Sequence, residues 1–498
     1  MARGSAPERS LERRAEAADA LEPSRRGPAA RGGSRPGSGP SELSTPRRAG
    51  RRASARAVAL DVLCRVERDG AWADRLLDAR LRDPGLDPRD RALATELTYG
   101  TLRWQRLIDF HVASASHRPV GTQDPWVRAL LRLGTYQLGW LDRVPAWAAV
   151  HEAVELAKGR RPRGAAHFVN GVLRSLAARP RPWPEPMAGP GDDPLDVLAL
   201  RTSQPTWLVR RWARRLGLEE AEALARAMNE RPPLVLRVNT LRASIADVVA
   251  ALEVAGARAG SPRYAAEALV LADAGDPARL PPIEDGRATV QDEAAILVGH
   301  ALGPEAGETV ADVCAAPGTK TTHLAQLMGN RGLILAVDPH PGRLGLLEEA
   351  CRRLGATIVE ARPGGAAALA GDVGPVCDRV LVDAPCSNLG VLRRNPDGKW
   401  RRQLSDLSRL AATQGTILDE AAGLVRPGGV LVYATCSLEP EENEAVIEAF
   451  RARRPDFAPD ALPAAVPAAC RDAPDRLRMT PARHGSDGFT AHRLRRRP

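Results

Sequence analysis

The stretch Asp312-Val313-Cys314-Ala315-Ala316-Pro317-Gly318-Thr319-Lys320 decides the fold, because it joins an apolar strand to a helix through a tight loop of small residues. From Gly286 onward, apolar strands and amphipathic helices alternate. The pattern predicts strands at 309–313, 333–337, 379–382 and 430–434, and helices at 321–328, 344–354 and 408–425. This alternation is typical of a parallel, doubly wound α/β sheet, here over residues 286–498.

The loop after the first strand has the features of a cofactor site. Ligands of doubly wound sheets bind outside the carboxyl ends of the strands. The loop is neither GxGxxG nor a GxxxxGK[ST] phosphate loop, which weakens NAD and ATP assignments. Small residues let a bulky cofactor approach, and a helix N-terminus favours a carboxylate; a plain strand–helix turn is the alternative. Asp338 ends the second strand, twenty residues after Gly318, where an acid can hold ribose hydroxyls. Together these features indicate a cofactor that contains adenosine.

Two further clusters place cysteines directly after strands. They are Asp383-Ala384-Pro385-Cys386-Ser387 and Thr435-Cys436-Ser437. Free cysteines are usually small buried hydrophobes, and that interpretation is preferred for the remaining ones outside the cofactor loop: Cys64, Cys351, Cys377 and Cys470. Two cysteines at converging strand ends, beside a carboxylate and a cofactor loop, instead suggest nucleophilic catalysis by a thiolate.

The rest of the chain divides by composition. Residues 1–52 are rich in Arg, Pro, Gly and Ser and predict a disordered basic tail. Residues 53–179 carry apolar side chains at helical spacing and predict an all-α bundle. The Pro/Gly-rich segment 180–191 is a predicted linker. Residues 192–285 combine helices with a strand and predict a small α/β module that leads into the last domain.

The net charge and the number and spacing of the cysteines limit the classes of protein that fit this sequence. The 498 residues include 71 basic and 61 acidic side chains, a net charge of +10 that favours polyanions. Twelve arginines against six acids in residues 1–52 supply +6 of it, so charge alone does not decide for nucleic-acid binding. No apolar run reaches the roughly 18 residues of a membrane span, and there is no secretory signal. The seven cysteines show no CxxC pair and no ligand-like spacing to the nine histidines, which predicts no disulfide, no metal and a cytoplasmic protein.

Lysine is almost absent from this sequence. Only Lys158, Lys320 and Lys399 remain among the 71 basic residues. We interpret this as a coding bias towards arginine. A lysine that persists against the bias is expected where a compact ammonium, and not a planar guanidinium, is required.

Two arginine-rich features leave alternatives open. The helical region could present a basic face or ordinary solvated arginines at Arg103, Arg106, Arg132, Arg160, Arg161 and Arg163. The run at 393–402, which mixes cations with Trp400, could grip phosphates and stack on a base, or be a solvated surface loop.

Three segments resemble the signature segments of RNA cytosine-5 methyltransferases: 312–320, 379–399 and 431–443 (LVYATCSLEPEEN). The resemblance is closest to the RsmB (Sun/Fmu) type, which modifies small-subunit ribosomal RNA. Outside the catalytic region, residues 168–174 (FVNGVLR) and the preceding helices resemble that family's NusB-like RNA-binding domain, and 237–240 and 290–294 match its pre-catalytic stretch. The resemblance covers about residues 53–498. It implies a NusB-like domain, a small α/β module and a Rossmann-like domain that uses S-adenosylmethionine.

The family also implies roles for single residues. Cys436 would add to C6 of a cytosine in small-subunit ribosomal RNA, which activates C5 for methylation. Cys386 would act in removal of the C5 proton or in product release. Asp383 would hydrogen-bond the cytosine N3/N4 edge, and Lys320 would support the cofactor loop or the substrate electrostatics. Cofactor contacts are implied for Cys314, Ala315, Ala316, Pro317, Gly318, Thr319, Lys320, Asp338 and Asp383. The protein is expected to act as a monomer, without a metal or a membrane.

The sequence departs from the family at two places. Thr319 replaces the usual second glycine of the loop, and we expect it to cap the following helix instead. Arg362 stands where the family has an acid on the adenine side, so no adenine contact is carried over to it.

Two alternative functions fit these residues less well. In a DNA cytosine-5 methyltransferase the thiol of the PC motif attacks, and the additional cysteine of TCS argues against that arrangement. A non-catalytic RNA-binding or assembly factor would not need Cys386, Cys436, Asp383 and Lys320 together, and all four are present.

Overall fold

A computed structural model describes residues 54–158, 163–189, 191–272 and 275–498, and the predicted tail at 1–52 lies outside them. The first part is a bundle whose core includes the fully buried Ile108, Leu130 and Leu131. Its amphipathic helices are α1 (Ala55–Asp69), α2 (Ala73–Leu81), α3 (Pro88–Arg103), α4 (Gln105–Ala115), α5 (Pro125–Trp140), α6 (Ala146–Ala157) and α7 (Ala165–Ala177). None of the described helices is long and apolar enough to cross a bilayer.

A small α/β module follows the bundle. Its elements are α8 (Pro194–Arg201), α9 (Thr206–Leu216), α10 (Leu218–Ala227), β1 (Leu234–Val238), α11 (Ile245–Val254), β2 (Arg258–Gly260), β3 (Ala268–Ala272), α12 (Pro281–Glu284) and β4 (Ala288–Val290). The strands form an antiparallel sheet in the order β2-β3-β1-β4. Helix α11 packs on it through the fully buried Val248 and Leu252.

The last part contains the large sheet and the helices that cover it. Its elements are α13 (Glu293–Leu302), β5 (Thr309–Val313), α14 (Thr319–Leu327), β6 (Leu333–Asp338), α15 (Pro341–Leu354), β7 (Val359–Pro363), α16 (Ala366–Val373), β8 (Cys377–Asp383), α17 (Gly398–Arg401), α18 (Leu404–Ala421), β9 (Val425–Thr435), α19 (Glu444–Arg453), β10 (Phe457–Pro459), β11 (Arg471–Ala473), β12 (Arg476–Met479), α20 (Pro481–His484) and β13 (Phe489–Arg496). Strands β5 to β9 are parallel, and the sheet runs β11-β12-β13-β9-β8-β5-β6-β7, with β10 on β13.

The sheet is parallel over β5 to β9, as predicted, and antiparallel strands extend it at one side. Strand β13 is antiparallel to β9, with Thr490 opposite Thr435, and lies between β9 and β12. Strands β12 and β13 are joined by the one-turn helix α20. This connection is too short for the crossover that two parallel neighbours need, so β12 and β13 are antiparallel. The sequence of β13 hid this position, because arginines interrupt its apolar residues. Arg493 is buried there and donates to the carbonyls of Ala301 and Leu302.

The segment at 393–402 connects the parts of the chain, so both sequence interpretations of it were wrong. The Nζ of Lys399 is buried and donates to Arg103 O and Ser203 O at 2.8 Å and to Asn229 Oδ1 at 3.0 Å. The indole of Trp400 donates to Leu102 O at 2.7 Å. Lys399 and Trp400 therefore bind the helical bundle, and neither is a solvated group or free for phosphate.

The arginines of the same segment are also engaged within the protein. Arg393 is 1% exposed and pairs with Asp487 at 2.7 Å. Arg394 pairs with Asp292 at 2.7 Å and also with Asp487. The guanidinium of Arg401 lies 3.9 Å from the ring centroid of Trp72. Buried ion pairs of this kind fix one arrangement, because breaking one leaves an unpaired buried charge.

Three of the six arginines of the possible basic face are engaged within the protein and do not contribute to such a face. Arg103 is buried and donates to Arg393 O, and Arg106 donates to Gln204 O and Thr206 Oγ1. Arg132 pairs with Asp109 at 2.7 Å and with Glu67 at 3.2 Å. Arg163 is exposed, and Arg160 and Arg161 lie outside the described residues.

Candidate active site

The carboxyl ends of neighbouring strands bring the predicted residues together. Strand β5 lies between β6 and β8, with Val313 opposite Val337 on one side and Val382 on the other. Strand β9 is the next parallel strand beyond β8. The loop after β5, Asp338 at the end of β6, Asp383 at the end of β8 and Cys436 after β9 therefore share one edge of the sheet.

The loop after β5 depends on its glycine. Gly318 has a φ of 97°, and a Cβ there would come within 3.0–3.3 Å of Leu347. Gly318 is also the N-cap of α14, which begins at Thr319, and no side chain caps this helix. The prediction that Thr319 is the cap was wrong, because the positive φ falls on the glycine before it. The uncapped N–H groups of the first turn are suited to a carboxylate.

Asp338 fits a ligand with hydroxyl groups. The residue is fully buried, and its Oδ1 accepts from the backbone N–H of His340 at 3.0 Å. Its Oδ2 accepts no hydrogen bond, although Arg343 lies 3.3 Å away and also donates to Ala316 O. A buried carboxylate oxygen without a donor is costly, and a ribose hydroxyl would satisfy it.

Asp312 is a buried acid behind the loop that the sequence did not single out. Its Oδ2 accepts from the hydroxyl of Thr321 at 2.7 Å, and its Oδ1 has no partner. Burial raises the pKa of Asp312 to about 7, against the hydrogen bond from Thr321, which lowers it. Burial likewise raises the pKa of Cys314 to about 12, so this thiol is not ionised at neutral pH.

The structure brings the two predicted catalytic thiols into contact. Cys386 Sγ and Cys436 Sγ lie 3.2 Å apart. Cys386 is buried and Cys436 is half-buried, so Cys436 is the more accessible residue. The hydrogen bond with Cys436 and burial raise the pKa of Cys386 well above its ordinary value, and the charge of a Cys436 thiolate raises it further. Cys386 is thus held as a thiol in contact with Cys436.

Lys320 and Asp383 form an ion pair beside the thiols. Lys320 Nζ lies 2.8 Å from Asp383 Oδ2 and 5.2 Å from the ring centroid of Phe489. Burial lowers the pKa of Lys320, but the charge of Asp383, its hydrogen bond and the charges of Cys436 and Asp312 together outweigh burial, so the pKa is raised. The Lys320 ammonium therefore stays charged at neutral pH and places a positive group near Cys436.

A buried glutamate holds both cysteine motifs. Glu442 is fully buried, and its carboxylate accepts from the hydroxyls of Ser387 and Ser437 at 2.5 Å. It also accepts from the backbone N–H of Ser387 at 2.8 Å and from Gln414 at 3.0 Å. Glu442 lies within the segment that resembles the family, but its anchoring role was not predicted from the sequence. Its position after TCS and the two serines would have been the signal.

Five other residues discussed from the sequence lie outside this cluster: Cys64, Cys351, Cys377, Cys470 and Arg362. Cys351, Cys377 and Cys470 are buried, as expected of small hydrophobes, and Cys64 is half-buried. Arg362 pairs with Glu360 at 2.9 Å, at the outer strand β7.

Among the described residues, one group could offer three metal ligands: Glu267, His300 and His323. Glu267 Oε1 lies 2.8 Å from His300 Nε2 and 2.7 Å from His323 Nε2. Two ligands of a tetrahedral zinc ion would be about 3.3 Å apart at ordinary bond lengths. The observed distances are those of hydrogen bonds, and burial keeps His323 neutral by lowering its pKa to about 3.

Comparison with known proteins identifies the family. Residues 299–495 match the family described as 16S rRNA methyltransferase RsmB/F, residues 53–178 the NusB family, and residues 204–277 the ferredoxin-like domain of RsmF/B-like methyltransferases. A probable ribosomal RNA small subunit methyltransferase B of Bacillus subtilis is 40% identical over 90% of this chain and 100% of its own length. The chain belongs to the ribosomal RNA small subunit methyltransferase B family.

Solved structures agree with membership of the methyltransferase B family. A methyltransferase homologue from Pyrococcus horikoshii superposes with a TM-score of 0.54 at 29% identity, covering 61% of this chain and 100% of that one. NSun6 of Pyrococcus horikoshii, solved with the S-adenosylmethionine analogue SFG, shares the fold at a TM-score of 0.53 and 24% identity, over 59% of this chain and 98% of its own. The predicted fold class, a NusB-like bundle, a small α/β module and a methyltransferase domain, is confirmed.

Proposed function

We propose that this enzyme methylates C5 of a cytosine in small-subunit ribosomal RNA through a covalent bond between Cys436 and C6. The observation that carries the proposal is the 3.2 Å contact between Cys386 Sγ and Cys436 Sγ at the ends of neighbouring strands. Relatives named ribosomal RNA small subunit methyltransferase B support the RNA substrate. The proposed setting is a monomer in the cytoplasm, where ribosomal RNA is its partner.

The edge of the sheet has groups suited to S-adenosylmethionine. Asp338 would hold the ribose hydroxyls, the loop 314–320 would receive the rest of the molecule, and the first turn of α14 would face its carboxylate. When bound, this cofactor supplies the methyl group. The side chain of Asp338 offers the carboxylate oxygen that lacks a hydrogen bond.

The residues of the chain supply the activation of the base. C5 of cytosine is a weak nucleophile, and addition of the Cys436 thiolate to C6 moves electron density onto C5. Asp383 would hydrogen-bond the N3/N4 edge, and the Lys320 ammonium beside it would stabilise negative charge in the pocket. The cytosine has to leave its stack to reach this edge.

Cys386 suits the second half of the reaction. While Cys436 carries charge and shares a hydrogen bond, the pKa of Cys386 is raised. After addition to C6, the Cys436 sulfur is a neutral thioether, so the main cause of that raised pKa is removed. Cys386 can then give its own proton to solvent water and, as a thiolate, take the C5 proton. The electron pair of the C5–H bond forms the C5–C6 double bond, the bond between C6 and sulfur breaks with its electrons returning to Cys436, and the product leaves.

Trapping of covalent RNA complexes tests this division of roles. Cys386→Ala should allow addition but slow elimination, so a protein–RNA species should accumulate that survives a denaturing gel. Cys436→Ala should form no such species, and the double variant should behave like Cys436→Ala because the nucleophile acts first. Labelled ribosomal RNA and S-adenosylmethionine provide the readout.

The opposite assignment, with Cys386 as nucleophile, gives the reversed pattern. The adduct would be lost in Cys386→Ala and retained in Cys436→Ala. The greater burial and raised pKa of Cys386 argue against it. Bisulfite sequencing of ribosomal RNA from a strain without the gene identifies the target: one cytosine should lose its methyl group, and an unchanged pattern would contradict the proposed substrate.

A further inference from the structure

A third side chain forms a triangle with the two thiols. Asn388 Oδ1 lies 3.1 Å from Cys436 Sγ and 3.4 Å from Cys386 Sγ. An amide oxygen only accepts hydrogen bonds, so the thiols are the donors. We propose that Asn388 is a positioning residue that holds the Cys436 thiol beside Cys386 in the resting enzyme. The inference rests on the proposed function, in which Cys436 is the nucleophile.

Counting protons gives this triangle a direction. The two thiols carry two protons, whereas the triangle has three contacts. At any moment, one of the three contacts therefore lacks a proton and is not a hydrogen bond. Within this proposal Cys386 donates to the Cys436 sulfur, because its raised pKa keeps the proton on this buried thiol. The proton of Cys436 then points to Asn388, whose oxygen is closer to Cys436 than to Cys386. Hydrogen bonds therefore run from Cys386 through Cys436 to Asn388.

The backbone keeps Asn388 in this place. Its φ is 63°, a left-handed conformation that few residues other than glycine and asparagine adopt readily. Two residues later, the N–H of Gly390 donates to Cys436 O at 2.9 Å, which ties the loop after Cys386 to the backbone of Cys436. A Cβ on Gly390 would come within 2.8 Å of that same oxygen, so the two loops pack closely.

An acceptor for the Cys436 proton stabilises the thiol relative to the thiolate. Asn388→Gly removes the acceptor without backbone strain, because glycine tolerates a positive φ. It should lower the pH midpoint of Cys436 alkylation by about half to one pH unit, the worth of one neutral hydrogen bond. Asn388→Asp replaces the amide with an anionic acceptor and should raise the midpoint.

The measurement uses the full chain without RNA or S-adenosylmethionine. Iodoacetamide is applied across a pH series, and mass spectrometry of the Cys436 peptide gives the midpoint, while melting temperatures check the fold. Asn330→Gly is the control, because Asn330 also has a positive φ, of 55°. Asn330 follows the C-terminal end of α14, whereas the candidate site lies at the N-terminal end of this helix. Its midpoint should equal that of the wild type.

An unchanged or raised midpoint in folded Asn388→Gly would overturn the proposal. If that variant fails to fold, Asn388→Asp decides, and there an unchanged or lowered midpoint overturns it. A merely structural role would lower stability and turnover without moving the midpoint. Alkylation requires neither RNA nor methyl transfer, so a shifted midpoint stands even if the trapping experiment assigns the attack to Cys386.

Discussion

The ammonium nitrogen of Lys399 lies 2.8 Å from the carbonyl oxygen of Arg103, 296 residues earlier in the chain. Arg103 is the last residue of α3 in the helical bundle, whereas Lys399 lies in α17, thirteen residues after Cys386. The same ammonium donates to Ser203 and Asn229 of the small module. One side chain therefore joins all three parts of the protein.

Lys399→Met should destabilise the whole chain. It keeps the apolar stem but leaves three buried acceptors without a donor, each worth about 1–3 kcal/mol. Chemical denaturation should show a loss of roughly 3 kcal/mol or more in the free energy of unfolding, with reduced turnover. Lys158→Met is the matched control, because the Lys158 side chain is 60% exposed and pairs with Glu155 of the same helical turn. An equal effect of the two variants would contradict the proposed connection.

Glu442→Gln should reduce turnover while leaving S-adenosylmethionine affinity nearly unchanged. The NH₂ group of the glutamine would face the hydroxyl donors of Ser387 and Ser437, which now bind the carboxylate. The hydrogen bonds that join both cysteine loops to residue 442 would therefore be weakened or lost. A charge-assisted hydrogen bond is worth about 1.5–3 kcal/mol, which predicts a fall in kcat of roughly ten-fold or more. Glu441→Gln, at a 40% exposed side chain paired with Arg211, is the control. Normal kcat in Glu442→Gln would refute the anchoring role.

Gly318→Ala should weaken cofactor binding at least about ten-fold, equivalent to 1.4 kcal/mol. The new Cβ would meet Leu347 at 3.0–3.3 Å, at a φ of 97° that alanine disfavours, so the loop has to shift. Isothermal titration with S-adenosylmethionine gives the affinity. Gly345→Ala, on α15 with open space around the new Cβ, should bind as the wild type does. Wild-type affinity in Gly318→Ala would show that the loop does not contact the cofactor.

Asp312→Asn should change how stability depends on pH. The folded pKa of Asp312, about 7, lies above its ordinary value of 3.8, so the folded state binds the proton more tightly. That contribution is complete below pH 3.8 and is lost as pH rises through 7, at about 1.4 kcal/mol per unit between the two values. The stability of Asp312→Asn relative to wild type should therefore increase from pH 5 to pH 7.5. Asp372→Asn, at an exposed position, is the control variant for the loss of one carboxylate.

The sequence was informative where a motif follows a buried strand. Asp338, Asp383, Cys386 and Cys436 each come directly after or at the end of a predicted strand, and parallel strands bring such ends to one edge. The contact between the two thiols follows from that topology. The N-cap of α14 was less predictable, because it depends on whether Gly318 or Thr319 takes the positive φ.

Interactions between distant segments could not be predicted in this way. Lys399 lies 296 residues from its partner Arg103, and Arg103 lies 290 residues from Arg393, so no local pattern identifies these pairs. Arginine-rich stretches appear the same in sequence whether they meet phosphate, water or a buried carboxylate. Only the packed structure shows that Arg393 meets Asp487.

The position of β13 between β9 and β12 matters during protein synthesis. Strand β9, which leads to Cys436, is translated about fifty residues before β13. Until β13 has left the ribosome, β9 is an open sheet edge, the kind of surface on which nascent chains aggregate. Phe489, the ring beside Lys320, is also missing during that interval. A nascent or truncated chain without β13 would therefore carry both cysteines and still lack a completed active site.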